Sequence, residues 1–287
     1  MPTALRDQMP VDLSGTEAIE AIELPLLLEA MFQRYGYDFR GYAMASIRRR
    51  ARRAMEEEGL PTLSSLQERI LHDPECMARF LDVVSVDVTS MFRDPSFYQA
   101  LRTKVAPALA RLPHLRLWIA GCASGEEVYS LAILLHEQGL LPKSKIYATD
   151  INSHLIERAR QAIFPLKQMQ EYTLNYQKAG GSGDFSQYYT AKHGGAILSD
   201  FLRSGIVWSE HSLVSDSSFN EFQLVLCRNV MIYFGRKLQD RVHNLIYDSI
   251  AMNGVLGLGR GESLQFTPHE DCYEVLDRAE KLYRKVK

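Results

Sequence analysis

A chain of 287 residues with 46% apolar content is long enough for one large domain or two ordinary ones, which excludes disorder as its default state. Lys and Arg total 33 against 35 Asp and Glu, and the net charge of -2 excludes a surface devoted throughout to nucleic acid. Cys76, Cys122, Cys227 and Cys272 are scattered without a CxxC pair or a histidine-rich neighbourhood, so reduced thiols are expected rather than a disulfide framework, and no metal is expected.

Residues 1 to 16, with Pro2, Pro10, Ser14 and Gly15, read as a loose leader. From Glu17 to Phe32 the apolar positions Ile19, Ile22, Leu26, Leu27 and Met31 recur at helical spacing, with Thr16 as the expected N-cap. Further helices are expected from Gly41 to Glu58, Thr62 to Leu71 and Pro74 to Val84, making an all-α domain over residues 17–86. Residues 87–287 then alternate helix and strand: a helix from Pro95 to Leu112, the strand Leu115–Ala120, a glycine-containing turn, a helix from Glu126 to Gln138 and the strand Lys145–Thr149. Later apolar runs at 205–208, 222–226 and 254–258 read as buried strands. Such alternation implies a mainly parallel sheet with helices on both faces. Between about 164 and 203 the rhythm breaks into a polar helix, Gly180-Gly181-Ser182-Gly183, Tyr188-Tyr189 and Gly194-Gly195, which reads as an inserted β-hairpin subdomain. No charged start leads into an apolar run with a cleavage site, and no apolar run approaches the ~18 residues of a membrane span, so a cytoplasmic protein without membrane insertion is expected.

The turn after the first strand, Gly121-Cys122-Ala123-Ser124-Gly125, is built of small residues that let a ligand approach the backbone at the carboxyl end of the strand, although a simple tight turn looks the same. Asp150 ends the second strand 25 residues after Gly125, where a carboxylate can accept from both ribose hydroxyls of a nucleoside; the competing reading is an ordinary helix cap. The loop lacks a P-loop lysine, and Glu126 and Glu127 at the helix start would repel a pyrophosphate. A nucleoside without phosphate and with a cationic sulfonium and ammonium, such as S-adenosylmethionine, suits such a loop.

With Val88-Thr89-Ser90-Met91-Phe92-Arg93-Asp94, Ala120-Gly121-Cys122-Ala123-Ser124-Gly125-Glu126-Glu127, Ala148-Thr149-Asp150-Ile151 and Cys227-Arg228-Asn229-Val230-Met231-Ile232-Tyr233-Phe234 in this order, the chain resembles the CheR chemotaxis receptor methyltransferases. The late segment Gly257-Leu258-Gly259-Arg260-Gly261-Glu262-Ser263-Leu264 extends the resemblance. It implies a class I S-adenosylmethionine-dependent methyltransferase fold, a Rossmann-like α/β domain preceded by a small all-α domain and carrying an inserted antiparallel β-subdomain. It further implies methylation of glutamate side chains on methyl-accepting chemotaxis receptors, with S-adenosylhomocysteine as product. By this resemblance Asp87, Thr89, Arg93, Gly121, Ala123, Glu127, Asp150, Ser212, Leu213, Cys227 and Arg228 meet the cofactor, Glu127 at the methionine ammonium and Asp150 at the ribose, while Arg93 and Tyr233 line the reaction centre. Asp87 stands where many members have Asn, Val128 replaces a usual Pro, and Ser212 replaces Asn, so altered cofactor contacts are expected.

Arg48, Arg49, Arg50, Arg52 and Arg53 crowd the second helix, and Arg49, Arg52 and Arg53 share a face by their spacing. A receptor helix presenting glutamates would be attracted there, while a solvated face is the plain alternative. In the family the inserted hairpin can capture a peptide from the receptor's carboxyl terminus by strand addition, which Gly180–Gly183 and Gly194-Gly195 could support here. A monomer acting on receptors without nucleic acid is the expectation; a regulator that has lost catalysis and a methyltransferase on another substrate stay open.

Overall fold

A computed structural model describes residues 15–85, 89–192 and 194–287. The leader through Ser14, and Asp87 with its expected cofactor contact, lie outside the described residues. The chain divides into two compact units between Val84 and Ser85.

The first unit holds α1 (Thr16–Tyr35), α2 (Met44–Glu57), α3 (Leu63–His72) and α4 (Pro74–Val84). In α1 the cap is Gly15 rather than Thr16. The apolar stripe facing the core is Leu24, Leu27, Leu28 and Met31, whereas Ile19, Ile22 and Leu26 are about half exposed. Two apolar stripes thus share this helix, and the inward one also carries Glu20, whose carboxylate takes the Arg52 Nε at 2.8 and 3.0 Å. A buried carboxylate needs such a partner to offset its desolvation. In α3, Thr62 supplies the cap, accepting from Ser65 N at 3.1 Å.

The second unit begins with the segment before α5 (Pro95–Ala100), continues through a π turn over Leu101–Val105 into α6 (Ala106–Ala110), and alternates from there: β1 (Leu115–Ala120), α7 (Glu126–Glu137), β2 (Ser144–Asp150), α8 (Ser153–Gln161). One continuous helix from Pro95 to Leu112 is therefore replaced by two short α segments around a wider turn. An inserted stretch follows, with β3 (Ile163–Pro165), α9 (Met169–Lys178), β4 (Tyr189–Lys192) and β5 (Gly195–Leu198). The remainder comprises α10 (Asp200–Arg203), β6 (Ile206–Glu210), β7 (Phe222–Cys227), α11 (Arg236–Ser249), β8 (Ile250–Leu258), β9 (Tyr273–Asp277) and β10 (Leu282–Lys285).

The main sheet has seven strands in the order β6-β2-β1-β7-β8-β10-β9. The first four pairings are parallel, and β10 runs antiparallel to both neighbours. Chain order reverses between β1 and β7, so their carboxyl ends form the crevice where open α/β sheets take ligands. Buried residues of β1, Leu117 and Ile119 among them, join Val128, Leu131 and Leu135 of α7 in one apolar core. The insert is a three-stranded antiparallel sheet, β3-β5-β4, rather than a lone hairpin.

One acid fastens the insert to α7. Glu137 Oε1 accepts from Tyr176 Oη (2.5 Å), Tyr188 Oη (3.2 Å), Ser182 N (3.0 Å) and Ser182 Oγ (3.1 Å), and Oε2 pairs with Arg102. The Glu137 side chain is only 4% exposed. Gly181 is a glycine because a Cβ there would lie 2.2 Å from the Tyr176 ring; the glycine-rich segment serves this close approach. Burial opposes the charge on Glu137, yet the bonds from Tyr176, Ser182 and Arg102 outweigh it and hold the carboxyl below its usual pKa. Because the folded pKa is depressed, the stabilisation is present above the unfolded value near 4.5 and is lost as pH falls through the folded value. Glu137→Gln, whose amide would turn a donor toward Arg102, should therefore cost about 3 kcal/mol at pH 7. Thermal melts of both proteins from pH 7 to pH 3 should show that gap closing below about pH 4.5; a gap independent of pH would contradict this account.

Candidate active site

Residues in the left-handed region mark where the backbone is forced. Of the eight described non-glycine residues with positive φ, Phe92, Asp94, Ala123 and Asn229 all fall in the motif segments. Such conformations cost on the order of 1 kcal/mol each and concentrate where a loop must aim something.

The loop after β1 is anchored to β2, Gly121 N and Cys122 N both donating to Thr149 O at 2.8 and 2.9 Å. Gly121 has φ 75°, and a Cβ there would meet Val230 Cγ2 at 2.5 Å; Gly125 has φ 95°, and a Cβ there would lie 2.9 Å from Ala159 Cβ. Both positions therefore need glycine for conformation and for space. Asp150 Oδ2 accepts from Ala123 N at 2.9 Å and Oδ1 from Asn152 N at 3.0 Å. The cap of α8 is Asn152, which accepts from His154 N and Leu155 N, so Asp150 is not the helix cap. A carboxylate has about four acceptor positions, so one that shapes the loop can also receive ribose hydroxyls.

The two acids opening α7 differ. Glu126 is 5% exposed, with Ser124 Oγ at 2.7 Å and Tyr172 Oη at 3.2 Å, and so braces the loop from inside. Glu127 Oε1 accepts from Arg228 Nη1 at 2.8 Å. Arg228 is 6% exposed; its Nη2 meets Asp94 Oδ2 at 2.9 Å and Arg93 O at 3.3 Å, and its guanidinium lies 3.9 Å from the Phe97 ring centroid. Burial works to lower the Arg228 pKa, but Glu127, Tyr98 and Asp94 outweigh it and hold the guanidinium above its ordinary value. Arg228 is thereby a clasp joining Glu127 to the Arg93–Asp94 turn.

That turn is itself fixed, with Phe92 N donating to Ser130 Oγ of α7 at 2.8 Å and Asn175 Nδ2 of α9 donating to Met91 O at 3.1 Å. Thr89 and Arg93 are half-buried there. Tyr233, also half-buried, ends a 3-10 turn over Met231–Tyr233 after β7. Cys122 and Cys227 are buried, and burial pushes both thiols well above their usual pKa. Ser212 Oγ accepts from Val214 N and Ser215 N, closing its own turn; Leu213 is buried and His211 packs edge-on against Trp118. Motif reading passed over Glu262, which is 6% exposed and accepts hydrogen bonds from Gly259, Asn229, Val230 and Met231. Its one sequence signal was its place in the glycine-rich segment after β8.

The arrangement suits S-adenosylmethionine: a strand-end carboxylate for the vicinal diol, an acidic helix start for the ammonium, and a glycine turn between them. Sheet order and site together define a class I S-adenosylmethionine-dependent methyltransferase fold. Residues 87–280 match the family described as CheR methyltransferase, SAM binding domain, and residues 22–85 its all-alpha domain. The chain belongs to the CheR methyltransferase family, and its cofactor is S-adenosylmethionine. It is 48% identical to a Pseudomonas putida protein provisionally named methyltransferase Cher3, over 92% of this chain and 97% of that one. A Listeria innocua chemotaxis protein methyltransferase is 28% identical over 80% of this chain and 85% of its own. Among solved structures, the N-methyltransferase NodS of Bradyrhizobium japonicum WM9 matches at 12% identity and a TM-score of 0.37, over 68% of this chain and 97% of that chain. Among the described residues no helix is long and apolar enough to cross a membrane, and no group of three or more His, Cys, Asp or Glu could hold a metal.

Proposed function

We propose that the chain methylates glutamate side-chain carboxylates of methyl-accepting chemotaxis-type receptors, yielding the glutamate methyl ester and S-adenosylhomocysteine. The observation that carries this reading is the clasp: through Arg228, one network joins the acid expected at the cofactor's amino-acid tail, Glu127, to the turn bearing Arg93. When bound, S-adenosylmethionine supplies an electrophilic methyl group on a sulfonium. A glutamate is already ionised near neutral pH, so its oxygen can form the new bond to carbon as the carbon–sulfur bond breaks, with no proton to remove. The protein's task is alignment and exclusion of water. Arg93 can orient the incoming carboxylate through its planar fork, and Tyr233 can position the reacting groups by its ring and hydroxyl. Labelled cofactor incubated with receptor cytoplasmic fragments should give base-labile methyl esters. Arg93→Ala and Tyr233→Phe should bind S-adenosylhomocysteine normally yet lose most turnover; base-stable label, or full turnover in both variants, would remove the reading.

The basic helix supports a receptor substrate in narrower form than its sequence suggested. Arg50 is buried and donates to Val84 O at 3.0 Å, and Arg52 is paired with Glu20 at 2.7 Å. Arg49 and Arg53 are exposed, with Arg48 beside them. Long-range attraction of an acidic receptor helix acts mainly on association and is screened by salt. Arg49→Glu with Arg53→Glu should raise KM for a receptor fragment roughly 10-fold at low salt, with cofactor affinity unchanged; equal KM values would assign these arginines to solvent. The same reading gives β4, an edge strand of the inserted sheet, the capture of a receptor tail by strand addition.

A further inference from the structure

Glu262 follows β8 and carries one of the densest sets of main-chain bonds in the second unit. Its Oε2 accepts from Gly259 N at 2.6 Å and Asn229 N at 3.0 Å, and its Oε1 from Val230 N at 2.9 Å and Met231 N at 2.8 Å. Three of these donors are consecutive in the turn after β7, where Asn229 has φ 60°. Successive N–H groups converging on one point form a nest for an anion, and here the chain supplies that anion itself. Space is reserved for it: a Cβ on Gly259 would lie 2.8 Å from Glu262 Oε2 and 2.7 Å from Asn229 N. The held turn has two neighbours that matter. Met231 begins the 3-10 turn ending at Tyr233, and Val230 is the side chain against which Gly121 of the loop after β1 closes.

We propose that Glu262 is a positioning residue for methyl transfer, setting the turn that aims Tyr233. The inference rests on the role given to Tyr233 above. Its cause is geometric: misplacement of a reacting group by about 1 Å costs on the order of 100-fold in rate.

The test uses the full chain with Glu262→Ala, which empties the nest, and Glu262→Asp, which keeps the charge but draws it back by one methylene. Expected are a kcat for receptor-fragment methylation lowered on the order of 100-fold in Glu262→Ala, KM and S-adenosylhomocysteine affinity within about 3-fold, and partial recovery of kcat on adding formate, an anion small enough for the nest. A purely structural role would lower the melting temperature and cofactor affinity together without a formate response, and that result, or an unchanged kcat, overturns the proposal. Should Glu262→Ala not fold, Glu262→Asp carries the same reading: lowered kcat with retained cofactor affinity supports it, and unchanged kcat overturns it. Amide exchange at Asn229, Val230 and Met231 separates this inference from the proposed function. Exchange accelerated in the variant and slowed by formate supports the nest even if the wild-type protein esterifies no receptor; unaltered exchange overturns it.

Discussion

Asp150→Ala should weaken binding of S-adenosylhomocysteine by at least ~100-fold, the equivalent of about 2.7 kcal/mol. Two effects add. Hydrogen bonds from ribose hydroxyls to a charged acceptor contribute roughly 1.5–3 kcal/mol each, and the same carboxylate fixes the loop by accepting from Ala123 N and Asn152 N. Losing it withdraws the partner proposed for the ribose and frees an alanine held at φ 46°. Asp150→Asn, which retains one acceptor oxygen, should fall between the wild type and Asp150→Ala. Calorimetric titration decides the matter, and a dissociation constant unchanged in Asp150→Ala would exclude Asp150 from the ribose site.

Arg228→Met should be the most damaging single change to the site, lowering stability by roughly 3–5 kcal/mol. The guanidinium is buried, with Glu127 at 2.8 Å and Asp94 at 2.9 Å, so removing it strands two carboxylates at once. Arg260 lies 3.8 Å from Asp94 and can neutralise only that one. Glu127, no longer held, should also leave the place proposed for it at the cofactor's ammonium, so cofactor affinity is expected to fall together with the melting temperature. Arg228→Lys should recover little, because a point charge cannot fork between two acids. Thermal denaturation with and without S-adenosylhomocysteine reads both losses; a variant that melts and binds like the wild type would show the clasp to be dispensable.

Much of this was legible from local signals. The apolar run Leu115–Ala120, the small-residue turn and the strand-end acid announce themselves within short windows, because strand period and turn chemistry are local properties. The structure has β1 at those same residues, and the parallel sheet implied by alternating elements is present. Long-range partnerships were not legible. Nothing near Arg228 in sequence names Glu127, 101 positions away, and nothing near Glu262 names Asn229, 33 away. In α1 the periodicity supports two apolar stripes, and the choice of inward face rests on partners such as Arg52 that lie on another helix. Tyr273–Asp277 and Leu282–Lys285 mix charged and apolar residues, so the antiparallel pair that finishes the sheet carries no strong period of its own.

The knot of side chains around Glu137 bears on how the inserted sheet could be exchanged between relatives. Its contributors come from the π turn, the end of α7, α9 and the segment leading to β4, so no contiguous stretch contains them all. A transplant cut at the borders of the insert would bring Tyr176, Ser182 and Tyr188 from the donor protein but leave Arg102 and Glu137 behind in the host. Chimeras should tolerate wide divergence along the strands and little at those five positions, whose compatibility decides whether the graft takes.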